Sequence, residues 1–568
     1  MKKLTIISMA ALLLLAASCK KEKETEPGGD AVFRATTETH SSNSKTQLDN
    51  QKAVNWISGD AIKVFNANNP SSNAYVFTAT LGGSPQTGFS GEAPKSFFES
   101  TSYTAFYPSS EDVKFEEGSY KITLPDTQTY AENSFGPGAN PMAAVSTTTE
   151  LSFKNICGLL KLQLYTVPDA RSVKSITLKS NKSGEMLWGT GTVDVSNFYD
   201  ASKPSLGTLD GGSTLTLDCS DYNNHQGVTL STSESSPTVF YFVVPSGTLS
   251  GGFTVTVTDT DDKPILIKAA RADTDTKANK IQRSRITAMP ALKVAPIGAL
   301  PGLFSIGDGK QVFFSKGNLQ YCASGNSGSA SLGSNVGGTW RFAEYQYDFV
   351  GSDNAKLASS YSGWIDLFGW ATSGFNNGGE SYRPWTYSTS VAYYAYGDGN
   401  KNLYDADAVG NYKGMADWGV ANEISNGGTG WRTPKSEDWQ YLLNRDGGQK
   451  NGLGTVAGIN GLIILPDEWE IPAGLEFKPG QSTWDGKNNC YSYSDWAKME
   501  SAGALFLPAA GTRNQQTVSN VNEYGWYWSS SDGEAVSADF LDFKEGVVRI
   551  FHYTRSNGLS VRLVKDAQ

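Results

Sequence analysis

A mainly β protein is what this sequence predicts, with β-sandwiches in its first half and an α+β module in its second. Three observations carry the expectation. Short stretches such as "SITLKS" (Ser175–Ser180), "TVFYFVVP" (Thr238–Pro245) and "GFTVTVTDTD" (Gly252–Asp261) alternate or run continuously β-branched and aromatic, bounded by Gly, Pro, Asn and Asp. Between residues 35 and 294 no helical periodicity of useful length occurs. From Leu303 the composition shifts toward Trp, Tyr and Gly, and a helix signal follows. The chain's 568 residues suggest three or four domains at roughly 150 residues each. Charged residues make up 18% against 39% hydrophobic, and there are 60 Gly, 26 Tyr and 14 Trp. That balance fits an extracellular β-rich protein. A net charge of −10 lacks the basic footprint that nucleic-acid binding needs, so no nucleic acid partner is expected.

The chain opens with "MKKLTIISMAALLLLAASC": two lysines, an apolar run from Leu4 to Ala17, then Cys19. The run is shorter than the about 20 residues of a spanning helix, and its layout is that of a secretory signal. "LAASC" resembles a bacterial lipobox, which implies cleavage before Cys19 and lipid attachment to it. Residues 1–18 are expected to be a lipoprotein signal peptide, with Cys19 as an outer-membrane anchor. The charged, Pro- and Gly-containing "KKEKETEPGGD" (Lys20–Asp30) belongs to a disordered tether expected over residues 19–34. The other cysteines, Cys157, Cys219, Cys322 and Cys490, show no CxxC pair or His-partnered spacing, which supports neither a zinc site nor a redox motif. A Cys322–Cys490 disulfide and buried free thiols are both compatible with these positions.

Two sandwich domains are expected, over residues 35–147 and 148–294, because the β-rich span exceeds the roughly 100 residues of one sandwich. The division falls after "FGPGANPMAAVS" (Phe135–Ser146). "SKTQLDNQKAVNWISGDAIKVF" (Ser44–Phe65) sets Lys-Thr before Trp-x-x-Gly-Asp; "LSFKNICGLLKLQLY" (Leu151–Tyr165) and "YFVVPSGTLSGGFTVTV" (Tyr241–Val257) follow. In this order they resemble Bacteroidetes fimbrillin-like proteins over about the first half of the chain. The resemblance implies two transthyretin-like β-sandwiches in a type V pilus lipoprotein, joined to other pilus subunits by donor-strand exchange. It also implies a clip after an arginine beyond the anchor. Arg34 in "AVFRATTETH" (Ala31–His40) stands in that place, and equally fits an ordinary tether arginine. Exchange has a general physical basis: removing an edge strand leaves unpaired backbone groups and a gap that a neighbour's extended segment fills.

"MPALKVAPIGALPG" (Met289–Gly302) holds three prolines, which disfavour helix and central strand. A boundary is expected there, with residues 295–302 as linker and 303–568 as the C-terminal domain. In "GWRTPKSEDWQYLL" (Gly430–Leu443), Thr433 can N-cap a helix with Pro434 at its first position. Trp439, Leu442 and Leu443 then form a buried stripe. Trp431–Pro434, the Tyr-Trp-Ser-Ser of Tyr527–Ser530 and the closing Ser-Val-Arg-Leu-Val of Ser560–Val564 resemble the C-type lectin-like fold. The branch is the formylglycine-generating-enzyme-like, Fibrobacter-paralogue one, and the match covers about residues 303–565. Variable proteins of diversity-generating retroelements share this ending. That resemblance implies ligand-binding residues between the fixed frames: Trp526, Asp532, Glu534, Phe540, Asp542, Lys544, Arg549, Phe551, His552, Tyr553 and Ser556. Tyr527, Trp528, Ser529, Val561 and Leu563 belong to the frame and are expected to be structural.

An enzyme is not expected, and no cofactor. The enzyme branch of this family uses a cysteine pair, which nothing here matches. His40, His225 and His552 lie in unrelated segments, which supports neither a catalytic triad nor a His-rich metal site. Asp405 and Asp407 in "YDADAVG" offer carboxylates but not the calcium-loop pattern, and glycoside hydrolysis needs a separation that sequence does not supply. Asp259, Asp261 and Asp262 read as a solvated hairpin turn.

The informative stretch is the last one. In "VVRIFHYTRSNGLSVRLV" (Val547–Val564), alternation puts Val548 and Ile550 on one face and Arg549, Phe551, Tyr553 and Arg555 on the other. In "SADFLDFKEG" (Ser537–Gly546), Leu541 and Phe543 share one face, and Phe540, Asp542 and Lys544 the other. Rings set among arginines suit recognition surfaces; burial under neighbouring loops is the competing explanation. The expected function is a surface adhesin at a pilus tip, binding a protein or glycan. A non-polymerising glycan-binding lipoprotein and an outer-membrane hydrolase are the alternatives.

Overall fold

β1 (Ala31–Thr37) sends Phe33 and Ala35 inward by simple alternation, while Val32, Arg34 and Thr36 stay exposed. The computed structural model describes residues 31–38, 41–42, 54–71, 74–167, 169–270, 279–326, 328–376, 382–390, 393–394, 403, 414–533 and 536–567. β1 pairs antiparallel with β2 (Gln86–Gly91), Arg34 opposite Gly88, and parallel with β3 (Glu150–Asn155), Arg34 opposite Glu150. Together with Ala61–Asn66, Ala74–Ala79, Tyr103–Tyr107 and Met142–Ser146 these strands close a barrel. Its core is aromatic: the Trp56 ring meets Phe89, Tyr107 and Phe153 edge-on at 4.9, 5.3 and 5.3 Å. The first unit is thus a closed barrel where a sandwich was expected.

Strand pairing crosses residue 147 in both directions. β3 lies beyond it yet belongs to the barrel, because it supplies the parallel neighbour of β1. Ser119–Leu124 and Thr127–Ala131 lie before it yet pair with Gly189–Asp194 and Thr214–Asp218. Apolar alternation runs on through this region, so only tertiary pairing tells one unit from the other.

In the second unit β4 (Gly158–Tyr165) pairs with Thr238–Val244 and, in parallel, with β5 (Arg285–Lys293). This sheet packs on another built from Thr214–Asp218, Ser172–Ser180, Phe253–Asp259 and Pro264–Ala270. Leu160, Leu162, Phe240 and Phe242 from the first meet Ile176, Leu178, Val255 and Val257 from the second in one core. Of the three aspartates expected in a solvated hairpin turn, Asp261 and Asp262 are exposed there, while Asp259 closes the turn from a buried position and accepts a 2.6 Å hydrogen bond from Arg171 Nη2. The proline-rich stretch begins as strand. Met289 and Pro290 fall where the β4–β5 register slips, from Lys161 opposite Ala288 to Gln163 opposite Ala291. A bulge tolerates a residue without an N–H. Beyond β5, Val294, Ala295 and Leu300 are buried and Ala295 N donates to Ile265 O at 2.7 Å, so the expected linker is packed chain.

In the C-terminal unit Lys310–Phe314 pairs with Val564–Asp566, bringing its two ends together. Arg562 is fully buried, donating to Asn318 Oδ1 at 3.3 Å and Gln346 Oε1 at 3.0 Å, and burial pushes its guanidinium down to about 10. Helix α1 (Ser436–Asn444) starts later than Thr433–Pro434 would place it. Thr433 N is drawn to Asp417 Oδ2 at 3.0 Å, and the Asp438 carboxylate reaches back to accept from Lys435 N at 3.0 Å. The buried stripe of Trp439, Leu442 and Leu443 is as expected. Cys322 and Cys490 are unpaired, the first buried and the second exposed; Cys157 and Cys219 are buried thiols. β6 (Gly525–Asp532), β7 (Ser537–Lys544) and β8 (Val547–Thr554) form a sheet in that order, with β8 at its edge.

Candidate ligand-binding face

A two-residue turn, Glu545–Gly546, joins β7 to β8, and Gly546 takes the positive φ of 77° that the turn requires. The register then runs unbroken from Lys544 opposite Val547 to Ser537 opposite Thr554. β7 is the central strand, paired at both edges, and both its faces are also covered. Leu541 and Phe543 join the core of Tyr527 and Trp439. Ala538 and Phe540 join that of Trp528 and Leu559. On β8, Val548 and Ile550 lean on the first core and Tyr553 on the second, while Arg549, Phe551 and His552 are exposed.

The centre of this face is a carboxylate hidden from water. Asp542, 2% exposed, accepts from Trp526 Nε1 at 2.7 Å and from Arg549 Nε at 3.0 Å. Charge-assisted bonds to a desolvated acceptor hold both donors firmly. The Trp526 ring lies 5.2 Å from Phe540 and 4.8 Å from Tyr553. The Arg549 guanidinium sits 4.3 Å from the centre of the Phe551 ring, which is 42% exposed. Lys544 Nζ lies 4.6 Å over Tyr524, whose ring is 5.5 Å from Trp526. The arrangement presents rigid aromatic area with directional donors beside it. Among the described residues Arg549 makes no other hydrogen bond, which leaves its two terminal nitrogens with donors to offer a ligand.

Six of the residues expected at the site come together here: Trp526, Phe540, Asp542, Arg549, Phe551 and Tyr553. Two of them are not on the surface. Phe540 is 1% exposed and serves as the floor under Trp526 and Tyr553, and Asp542 is the buried anchor. Lys544 joins through Tyr524, and the His552 ring lies 4.6 Å from Phe551. Asp532 and Arg555 depart furthest from expectation. The chain leaves β8 at Thr554, and Arg555 turns inward, 4% exposed, to an ion pair with Asp532 under the Trp370 ring. Burial pushes the Asp532 carboxyl up and Arg555 opposes it. Arg555 therefore does not frame the exposed rings. Ser556 is half-buried in the following turn. The frame residues Tyr527, Trp528, Ser529, Val561 and Leu563 are all buried.

Tyr524 is the member that sequence reasoning missed. It stands two residues before Trp526 in "NEYGWYW" (Asn522–Trp528), the spacing of a shared strand face, and that signal could have found it. Arg34 is exposed within β1, 3.8 Å from Glu150. Cys19, Glu534, Asp405 and Asp407 lie outside the described residues. Among the described residues no group of three His, Cys, Asp or Glu side chains is placed to hold a metal.

No family model and no curated protein matches the chain. Solved structures similar to it include a candidate cell adhesion protein from Bacteroides ovatus, at 10% identity over 47% of this chain and 92% of that one, with a TM-score of 0.30. Another, from Bacteroides uniformis, has 12% identity over 47% and 93%, with a TM-score of 0.27. A fimbrial protein from Bacteroides ovatus is matched over 94% of this chain and 98% of its own, at 10% identity and a TM-score of 0.20. The similarity is to cell-adhesion and fimbrial proteins of Bacteroides, at TM-scores too low to establish a shared fold.

Proposed function

We propose that this chain is a surface lipoprotein adhesin, a pilus tip subunit anchored in the outer membrane through Cys19, and that it is not an enzyme. Its C-terminal unit, of C-type lectin-like type, binds a protein or glycan ligand through the outward side of β8. One observation carries the proposal: Phe551 stands 42% exposed beside Arg549, on a floor of rings and a buried carboxylate that hold the pair in place. Large rigid rings next to arginine supply binding energy at recognition surfaces, and ring faces also stack on sugars. The test is an array of glycans and extracellular proteins probed with the full chain and with the Arg549→Ala/Phe551→Ala variant. Ligands bound by the wild type and lost by the variant support the proposal; ligands bound equally by both overturn it.

Attachment to other pilus subunits would use the barrel. β1 fills the space between β2 and β3, with Phe33 and Ala35 in the core. Taking β1 away leaves two unpaired edges and an apolar groove, which suits a strand from a neighbour. Arg34 lies inside β1, so a clip there requires the strand to leave the barrel first. The pairing of β1 on both sides also favours a second reading, a glycan-binding lipoprotein that does not polymerise.

A further inference from the structure

We infer that the free edge of β8 is a docking strand for an extended segment of a partner protein, which adds to the β6–β7–β8 sheet as a fourth strand. The inference rests on the ligand face proposed above and identifies its occupant as a polypeptide. Among the described residues β8 pairs only with β7. Because the turn holds two residues, Lys544 and Val547 are the first hydrogen-bonded pair. Alternation then directs the N–H and C=O groups of Val548, Ile550 and His552 away from β7. Among the described residues these groups have no other backbone partner.

Natural sheet edges are shielded by brevity, charged side chains, proline, bulges or a covering element. Of these β8 carries one charge, Arg549, which is held by the buried Asp542 and the Phe551 ring. It is eight residues long in unbroken register, with no Pro or Gly, and "VVRIFHYT" is β-branched or aromatic at all but Arg549 and His552. Beside it a cleft of about 640 Å³ runs between Ile550 and α1, lined by Glu437, Gln440, Tyr441 and Asp446 among others. An added strand points alternate side chains to opposite faces. One row would enter this cleft, and the other would lie against Phe551 and Arg549. Ile550 and Tyr441 fit an apolar side chain. Arg445 also lines the cleft but is buried and paired with Asp467, so Glu437 and Asp446, which form no salt bridge among the described residues, fit a lysine or arginine at the rim. The occupant is therefore a segment that mixes apolar and basic residues in extended conformation.

The probe is a synthetic eight-residue peptide alternating Val and Lys, added to the full chain. Amide exchange should show protection rising at least about tenfold at Val548, Ile550 and His552, as for a strand whose outward groups become paired. His552→Pro removes one outward N–H and leaves the β7 ladder intact; it should weaken peptide binding about tenfold with the melting temperature unchanged. N-methylating the peptide's alternate amides should weaken binding to the wild type by a similar factor, which keeps the test sound should His552→Pro fail to fold. Equal binding of a scrambled peptide, equal binding of the N-methylated one, or no protection at those amides overturns the docking strand. So does a concentration-dependent dimer abolished by His552→Pro, which would assign the edge to a second copy. Array ligands lost with Arg549→Ala/Phe551→Ala, alongside absent peptide protection, would refute the docking strand alone. Peptide docking without any such array ligand would refute the broader ligand face alone.

Discussion

β1, "AVFRATT", and β8, "VVRIFHYT", each set one arginine among β-branched and aromatic residues. β1 is paired on both sides and helps close a barrel; among the described residues β8 is paired on one side and ends a sheet. Phe33 is 0% exposed and Phe551 42%. Arg34 projects from a strand whose backbone is engaged on both edges, whereas Arg549 is tied to a buried carboxylate and lies over a ring. Composition does not separate the two strands. Neighbours do, so whether a strand is sealed or available is a property of the tertiary pairing.

The contrast breaks most visibly in the core. Phe33→Ala and Phe540→Ala should each cost about 3–5 kcal/mol in denaturant unfolding, because each empties a fully packed site. A cost under about 1 kcal/mol for either would mean that its strand is not sealed. Asp532→Ala comes next. It removes the carboxylate that faces the buried Arg555 guanidinium and should cost about 3 kcal/mol, with much of the loss recovered when Arg555→Met is added. A double variant no more stable than Asp532→Ala would show that the pair does not work as a unit.

Proteolysis sharpens the same comparison at smaller energies. An arginine-specific protease should cut after Arg34 about 100-fold more slowly in the native chain than in the unfolded one, because the strand must open first. Equal rates would place β1 outside the barrel in solution. Phe551→Ala should move stability by less than about 1 kcal/mol, the range of an exposed side chain.

The alternation of β8 was legible in the sequence: Val548 and Ile550 do face away from Arg549, Phe551 and Tyr553. The two faces of β7 were legible too, but not that both are buried, and for a physical reason. A central strand covered on both sides has no solvent face for alternation to report, so Phe540 and Asp542 read as outward when they are the floor. Arg555 failed differently, since strand alternation ends at Thr554 and the chain turns in toward Asp532. The boundary near residue 147 was invisible because β3 and β4 are similar apolar strands that only their partners distinguish. Pro290 was tolerated by a bulge, which no single residue announces.

The most direct measurement sets wild type beside Phe551→Ala, with binding to an array ligand and thermal unfolding read on the same preparations. An exposed anchor ring predicts a loss of about 2 kcal/mol in affinity, roughly 30-fold, with the melting temperature within about 2 °C of wild type. Unchanged affinity, or a melting loss as large as that of Phe540→Ala, would contradict the account.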